Sequence, residues 1–264
     1  MLLAELRRLG IEAQPLVWDD PAVDWSVPEM CVIRETWDYH HRRDEFVAWA
    51  ERVEEQTTLL NSAEVVRWNT HKGYLRELEE RDVPIVPTIW LNAGDETSLS
   101  DIMSSRRWDE VVIKPAVSAS AFETIQVGTD RIAEGQAHID RLLPARDLMV
   151  QPFIPSVRDY GERSLIFIDG ELTHAVRRTP ALHPEEGMEH WQATLVQPTP
   201  EEADMALFAL RAAGYPTLYA RVDIVRDEAN QVRLMELELV EPSLFLTLAP
   251  HAARRLAQAI SDKR

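Results

Sequence analysis

The stretch Tyr219–Ser243, YARVDIVRDEANQVRLMELELVEPS, decides how the chain is read. Apolar and charged side chains alternate on both sides of a polar centre, the pattern of two antiparallel strands with one buried face. A four-residue loop at Glu228–Gln231 sets Asp223 opposite Glu236 and Arg221 opposite Glu238. One face then carries Arg221, Asp223, Glu236 and Glu238, and the other Val222, Ile224, Met235, Leu237 and Leu239. Three acids around one guanidinium repel one another unless a further cation joins them. Mg2+ fits that place, because it takes oxygen ligands and shares its coordination shell with phosphates. A hairpin with a merely solvated charged face has the same pattern, and the segment alone leaves both readings open.

Two lysines upstream favour the first reading. Lys114 ends the apolar strand VVIKP, where an unpaired ammonium is costly, and a loop of small residues, Ala116–Ala121, follows Pro115. Lys72 stands at the start of a helix in WNTHKGYLREL, where the helix dipole favours anions over cations. Either lysine alone reads as a surface residue. Both together, ahead of a three-carboxylate hairpin, read as a clamp for a polyphosphate.

The 264 residues are a length for about two domains. With 45% hydrophobic residues the chain folds as an ordinary globular protein. Its 28 Lys and Arg against 45 Asp and Glu give a net charge of −17, which excludes a generic nucleic-acid or anionic-membrane binder. A nucleotide must therefore be held by a few local cations and a metal ion. Only 9 glycines occur, and neither GxxxxGK nor GxGxxG is present, so a phosphate site works with few glycines. Cys31, the single cysteine, excludes an intrachain disulfide and reads as an inert strand thiol. No apolar run reaches the ~18 residues of a membrane span, and no signal pattern opens the chain, so a cytoplasmic location is expected.

The rest of the pattern is α/β. Periodicity predicts helices at 2–9, 44–54, 62–66, 72–81, 201–213 and 251–261. It predicts strands at IEAQPLVW, MCVIR, VPIVPTIW, WDEVVIKPAV and LMVQPFI, and a hairpin SLIFIDGELTHAVRR turning at Asp169-Gly170. The opening helix has no strand before it, so a first strand of a wound sheet is expected upstream of Met1. Thr179–Pro200, long and proline-bearing, is expected to be a lid or binding loop. The adjacent His40 and His41 do not converge on a metal. In RETWDYH, Arg34 closes a strand and Trp37 and Tyr39 follow it, where open sheets bind ligands, and Arg34 either grips a substrate carboxylate or pairs with Asp38.

The ordered set Lys72, Lys114, LMVQPFI, GERSLIF, HAVRR, ARVD and MELE resembles the ATP-grasp superfamily. Within it the chain is similar to prokaryotic glutathione synthetases and RimK-type ligases. RETWDY, NTHKGYL and ELELVEPS resemble most the short proteins that include the cyclo-ligase of cycloserine biosynthesis. The resemblance covers nearly the whole chain and implies an ATP-grasp fold behind an N-terminal wound α/β domain. It divides the chain into 1–62, a central subdomain 63–147 and a C-terminal subdomain 148–264.

The resemblance implies a carboxylate ligase that makes an acyl-phosphate from ATP for attack by nitrogen, either within the substrate, as from O-ureidoserine to cycloserine, or from a separate amine. A nucleotide-binding module without chemistry is the alternative from another class. Lys72 and Lys114 would contact phosphates, Gln151, Phe153 and Ile154 the adenine, and Glu162 the ribose. Asp223, Glu236 and Glu238 would hold Mg2+, or Mn2+ as a substitute. Arg221, Arg178 and its neighbour Arg177 would meet the transferred phosphoryl group. The partner is a small carboxylate, not nucleic acid or membrane, and a homo-oligomer is left open. Two departures stand out: Glu238 occupies a position commonly Asn, and Val117–Ala121 replaces a glycine-rich loop.

Overall fold

The structure is a computed structural model that describes residues 1–178 and 193–264. Helix α1 (Leu2–Arg8) is followed by Gly10 at φ 72°, a conformation that ends a helix cheaply only in glycine. Strand β1 (Met30–Val32), helix α2 (Arg43–Glu54) and strand β2 (Thr58–Leu60) form a βαβ unit with the strands parallel. The expected strand IEAQPLVW does not form. Pro15 offers no N–H to a ladder, Ile11 and Ala13 pack on the α1 side, and Trp18 stands edge-on to Phe46 at 5.2 Å.

Helix α3 (Ala63–Asn69) is capped by Ser62, and helix α4 (Tyr74–Glu80) begins after Lys72, which lies in the preceding turn. The strand expected over VPIVPTIW shrinks to β3 (Ile89–Leu91), because Pro84 and Pro87 interrupt the donor series. Helix α5 (Leu99–Arg106), strands β4 (Glu110–Pro115) and β5 (Ile125–Gly128), helix α6 (Ile132–Leu142) and strand β6 (Leu148–Pro152) follow. The four strands form an antiparallel sheet ordered β3-β6-β4-β5, covered by Leu99, Met103, Ile139 and Leu142. Strand β6, which the sequence division groups with the C-terminal part, hydrogen-bonds between β3 and β4 of this central sheet.

The larger sheet consists of β7 (Glu162–Ile168), β8 (Glu171–Arg178), β9 (Ala193–Val196), β10 (Tyr219–Arg226) and β11 (Val232–Glu238), ordered β11-β10-β7-β8-β9. Helix α7 (Pro200–Ala213) packs on one face through Met205, Ala206 and Ala209, with Leu75 and Leu78 of α4 beside it. The other face is covered by α8 (Pro250–Ser261), whose Leu256 and Ile260 share a cluster with Leu6, Ile166 and Ile168. Asp169 and Gly170 turn the β7–β8 hairpin at φ 51° and 78°. Part of the expected loop 179–200 is thus strand β9 and the start of α7. Residues 179–192, the body of the expected lid, lie outside the described residues.

Strand β11 is a sheet edge, and side chains of the α3–α4 segment blunt it. The Leu237 N–H donates to Tyr74 Oη at 2.9 Å, Asn69 Nδ2 donates to the Leu237 carbonyl at 2.8 Å, and the Leu239 N–H donates to Asn69 Oδ1 at 2.7 Å. This docking places Lys72, between Asn69 and Tyr74, beside the carboxylates of β10 and β11.

Candidate active site

Between the two sheets lies a cavity of about 770 Å³. Its wall includes Lys72, Lys114, Gln151, Phe153, Ile154, Glu162, Arg178, Arg221, Glu236 and Glu238, which the sequence had singled out. The hairpin pairs Asp223 with Glu236 and Arg221 with Glu238 as expected, although the route differs. Arg226, not Asp227, pairs with Val232, and a bulge beyond Ile224–Leu234 restores the register. Met235 is the extra residue. It therefore faces the cavity rather than the apolar layer where alternation had put it.

The β4 and β6 strand ends build one wall. Phe153 gives its N–H to the Glu110 carbonyl at 2.9 Å, so of the three residues expected at the adenine it has no amide to offer. The Phe153 carbonyl and the Ile154 N–H have no hydrogen-bond partner among the described residues, leaving one acceptor and one donor adjacent in the chain. Gln151 is buried, and its side chain donates to Thr88 Oγ1 at 2.9 Å.

Lys114 Nζ lies 3.0 Å and Lys72 Nζ 3.8 Å from Glu236 Oε1. Lys72 is held from both ends by the loop after Lys114: its N–H donates to the Ala116 carbonyl at 2.7 Å and its Nζ to the Ser118 carbonyl at 2.9 Å. That loop has no glycine, yet Ser120, Ala121 and Glu123 stand at φ 50°, 57° and 53°. Such angles favour glycine and store strain in other residues. Phe122 anchors the loop, its ring 4.9 Å from both His40 and His41. The histidine pair thus serves packing.

Asp223, Glu236 and Glu238 each bring a carboxylate oxygen within 4.8 Å of the other two. Cations already compensate them. Arg221 donates to Asp223 through Nη2 at 2.8 Å and also pairs with Glu238. Arg178 reaches Asp223 at 2.8 Å and pairs with Glu162. Burial pushes the Glu236 carboxyl up, but the ammoniums of Lys72 and Lys114 outweigh it and hold the group down at about 2. Burial likewise opposes ionisation of Asp223, and Arg178 and Arg221 prevail, so it too lies below the usual range. Glu162 goes the other way, pushed up to about 7 by burial despite Arg178. A hard-oxygen set of three clustered carboxylates suits Mg2+. Glu236 and Glu238 face the cavity, while Asp223 is fully buried behind them.

Two expected site residues are elsewhere. Arg177 turns away from the cavity and donates to the carbonyls of Tyr160 at 2.9 Å and Asp159 at 2.7 Å. Adjacent residues of a strand point to opposite faces, so Arg177 and Arg178 cannot both enter. Arg34 pairs neither with Asp38 nor with the cavity. Its Nη2 donates to the Pro242 carbonyl at 2.9 Å and its guanidinium lies over the Tyr219 ring. Cys31 is half-buried with its thiol pushed up to about 11 by burial, so it is inert.

Trp37 and Tyr39, which follow Arg34 at the strand end expected to bind a ligand, line the cavity although Arg34 does not, and sequence reasoning missed Glu241 on the same wall. Glu241 is pushed up to about 8, first by burial and then by the charge of Glu238. Its place in ELELVEPS, just past the metal-ligand pair, was the available signal.

Similar folds occur among solved ATP-grasp ligases. PsnB complexed with precursor peptide PsnA2 and AMPPNP matches with a TM-score of 0.67 at 16% identity, over 100% of this chain and 94% of that one. D-alanine–D-alanine ligase from Bacillus anthracis complexed with ATP matches at 0.71 and 12%, over 99% and 88%. The fold is therefore that of the ATP-grasp ligases, and the clustered lysines, arginines and acids stand in the cleft between its sheets. The crystal structure of D-cycloserine synthetase DcsG matches with a TM-score of 0.90 at 31% identity, over 99% of this chain and 93% of that one. Residues 1–61 match the family described as the N-terminal domain of D-cycloserine synthetase DcsG. The cycloserine biosynthesis protein DcsG of Streptomyces lavendulae is 32% identical over 277 residues, 99% of this chain and 92% of that protein. The chain belongs to the DcsG family of ATP-grasp ligases, and is an ATP-dependent ligase.

Proposed function

We propose that the chain activates a small amino-acid-like carboxylate with ATP and Mg2+, and that a nitrogen of the same molecule then closes a ring, as from O-ureidoserine to cycloserine. The observation that carries the reading is the convergence of Lys72, Lys114, Arg178 and Arg221 on Glu236 and Glu238 at the cavity wall and on Asp223 behind them. Cations of this kind hold a triphosphate and stabilise charge on a transferring phosphoryl group. The relationship to DcsG supports the ring-forming substrate.

The substrate carboxylate takes the γ-phosphoryl group and ADP leaves. The oxygen-bearing nitrogen of the ureido group attacks the acyl carbon and expels phosphate, closing a five-membered ring. Water removes the carbamoyl group from that nitrogen as carbon dioxide and ammonia. Lys72 and Lys114 hold the phosphates, Arg221 and Arg178 face the transferred group, and the Phe153 carbonyl with the Ile154 N–H meets the adenine edge. Glu236 and Glu238, with Asp223 behind them, would hold Mg2+, which would supply charge neutralisation at the phosphates. Tethering the nucleophile to the acyl group gives the ring closure a large effective molarity.

The test is to supply O-ureidoserine of either hand with MgATP and assay ADP, phosphate and the cyclic product. All three are expected from one hand. A linear amide formed only with an added amine overturns ring closure in favour of an intermolecular ligase, and no ADP with any amino-acid-like carboxylate overturns the reading altogether.

A further inference from the structure

Glu241 differs from every other acid of the cavity wall. Glu162 is paired with Arg178, Glu236 with Lys114, Glu238 with Arg221, and Glu123 with Arg141. Glu241 is 8% exposed, and its side chain has no ion pair or hydrogen bond to another described residue. A buried carboxyl group without an ion-pair partner is costly to ionise, and a cationic group entering the cavity beside it would offset that cost.

The main chain at this point is fixed from the N-terminal segment. Trp37 Nε1 donates to the Glu241 carbonyl at 3.0 Å, and Arg34 donates to the next carbonyl, Pro242, at 2.9 Å. Arg34, for which the sequence left open a substrate grip or a pair with Asp38, instead holds this turn through the Pro242 carbonyl. Trp37 and Tyr39 line the cavity with Glu241, and the Tyr39 hydroxyl has no hydrogen-bond partner among the described residues. A carboxylate sharing a cavity wall with two aromatic rings is suited to an ammonium group, which can gain an ion pair and cation–π attraction there. A metal ion is the rival occupant, but Glu241 is outside the group whose oxygens converge within 4.8 Å.

We propose that Glu241, on the cavity wall with Trp37 and Tyr39, binds the ammonium group of the amino-acid substrate. The proposal rests on the reading of the chain as a ligase that activates an amino-acid carboxylate. The ammonium is one carbon from the carboxylate, so its capture by Glu241 would orient the acyl group toward Arg221, whose Nη1 approaches the Ser243 carbonyl two residues beyond Glu241.

The experiment compares O-ureidoserine with the same molecule carrying hydrogen in place of the ammonium group. Binding is measured by calorimetry with Mg2+ and a non-hydrolysable ATP analogue, and turnover by ADP release. Wild type is expected to bind the amino acid about 50-fold more tightly than the des-amino compound, and Glu241→Gln to reduce that preference to about threefold. The KM for ATP and the Mg2+ requirement should stay within about twofold. Equal preference in wild type and Glu241→Gln overturns the ammonium site, as does a Glu241→Gln protein whose only change is a raised Mg2+ requirement. If Glu241→Gln does not fold, equal binding of both compounds by wild type overturns it. Ammonium-dependent binding without ADP release would leave the site standing and remove the ligase reading for this substrate. ADP release from both compounds with equal KM would do the reverse, and binding of neither overturns both.

Discussion

Arg178 reaches over strand β7 to Asp223, two places away in the sheet, with Nη2 2.8 Å from Oδ2. Asp223 also accepts from Ser164 Oγ at 2.5 Å and from Arg221, and is fully buried. Removing the Asp223 charge takes a shared carboxylate from two buried guanidiniums, leaving Arg178 with Glu162 and Arg221 with Glu238 alone. Asp223→Asn is therefore expected to lower the stability of the ligand-free protein by about 3 kcal/mol, read by urea denaturation. Carboxylate repulsion, the dominant effect if no basic residue stood by, has the opposite sign. An Asp223→Asn protein as stable as wild type would show that repulsion governs the cluster.

Glu236 and Glu238 face the cavity, with side chains 22% and 27% exposed, so their loss should be felt more in metal binding than in folding. Glu236→Gln and Glu238→Gln are each expected to raise the Mg2+ concentration for half-maximal ADP formation by at least about tenfold. A metal titration of ADP release checks this, and an unchanged Mg2+ midpoint in both variants would remove the metal assignment.

The loop after Lys114 depends on Phe122. Three of its residues hold positive φ, and the Phe122 ring against His40 and His41 offsets that strain. Phe122→Ala should release the loop that holds Lys72 Nζ through the Ser118 carbonyl. The expected result is a KM for ATP raised about fivefold, with the KM for the carboxylate changed less. Equal rises in both would mean that the ring supports the whole domain interface rather than the phosphate side.

Alternation made the charged face of the β10–β11 hairpin legible, because strand parity fixes which residues share a face. The pairing came out right through two offsetting departures: a loop one residue longer than expected, and the bulge at Met235. The β7–β8 hairpin shows the same limit. Counting from Ile168 opposite Glu171 puts Arg177 across from Glu162, but the extra residue Thr173 shifts the register and delivers Arg178 instead. A bulge leaves no periodic trace, so sequence alone narrowed the choice to two adjacent arginines without deciding it. Glu241, and the way it joins Trp37 and Tyr39, was hidden for another reason. Their association depends on how the N-terminal segment packs on the loop after β11, a tertiary contact across about two hundred positions.

His174 gives a pH dependence that can be separated from the carboxylates. Its Nε2 lies 3.0 Å from the Leu244 carbonyl and its Nδ1 2.9 Å from Thr173 Oγ1. Burial pushes its pKa down to about 4. Above pH ~6.5 the ring is neutral in both folded and unfolded chains, so its contribution is fully present. As pH falls below that value the unfolded chain takes a proton and the folded chain does not, so stability is lost progressively down to about pH 4. Glu162 and Glu241, with raised values, contribute in the opposite direction, so the wild-type profile alone does not isolate the histidine. His174→Gln retains an amide donor toward Leu244 and removes the titration. Between pH 7 and pH 5 the wild type is expected to lose about 1–2 kcal/mol more stability than His174→Gln, measured by urea denaturation at each pH. Parallel profiles would mean that the ring titrates in the folded protein as it does in water.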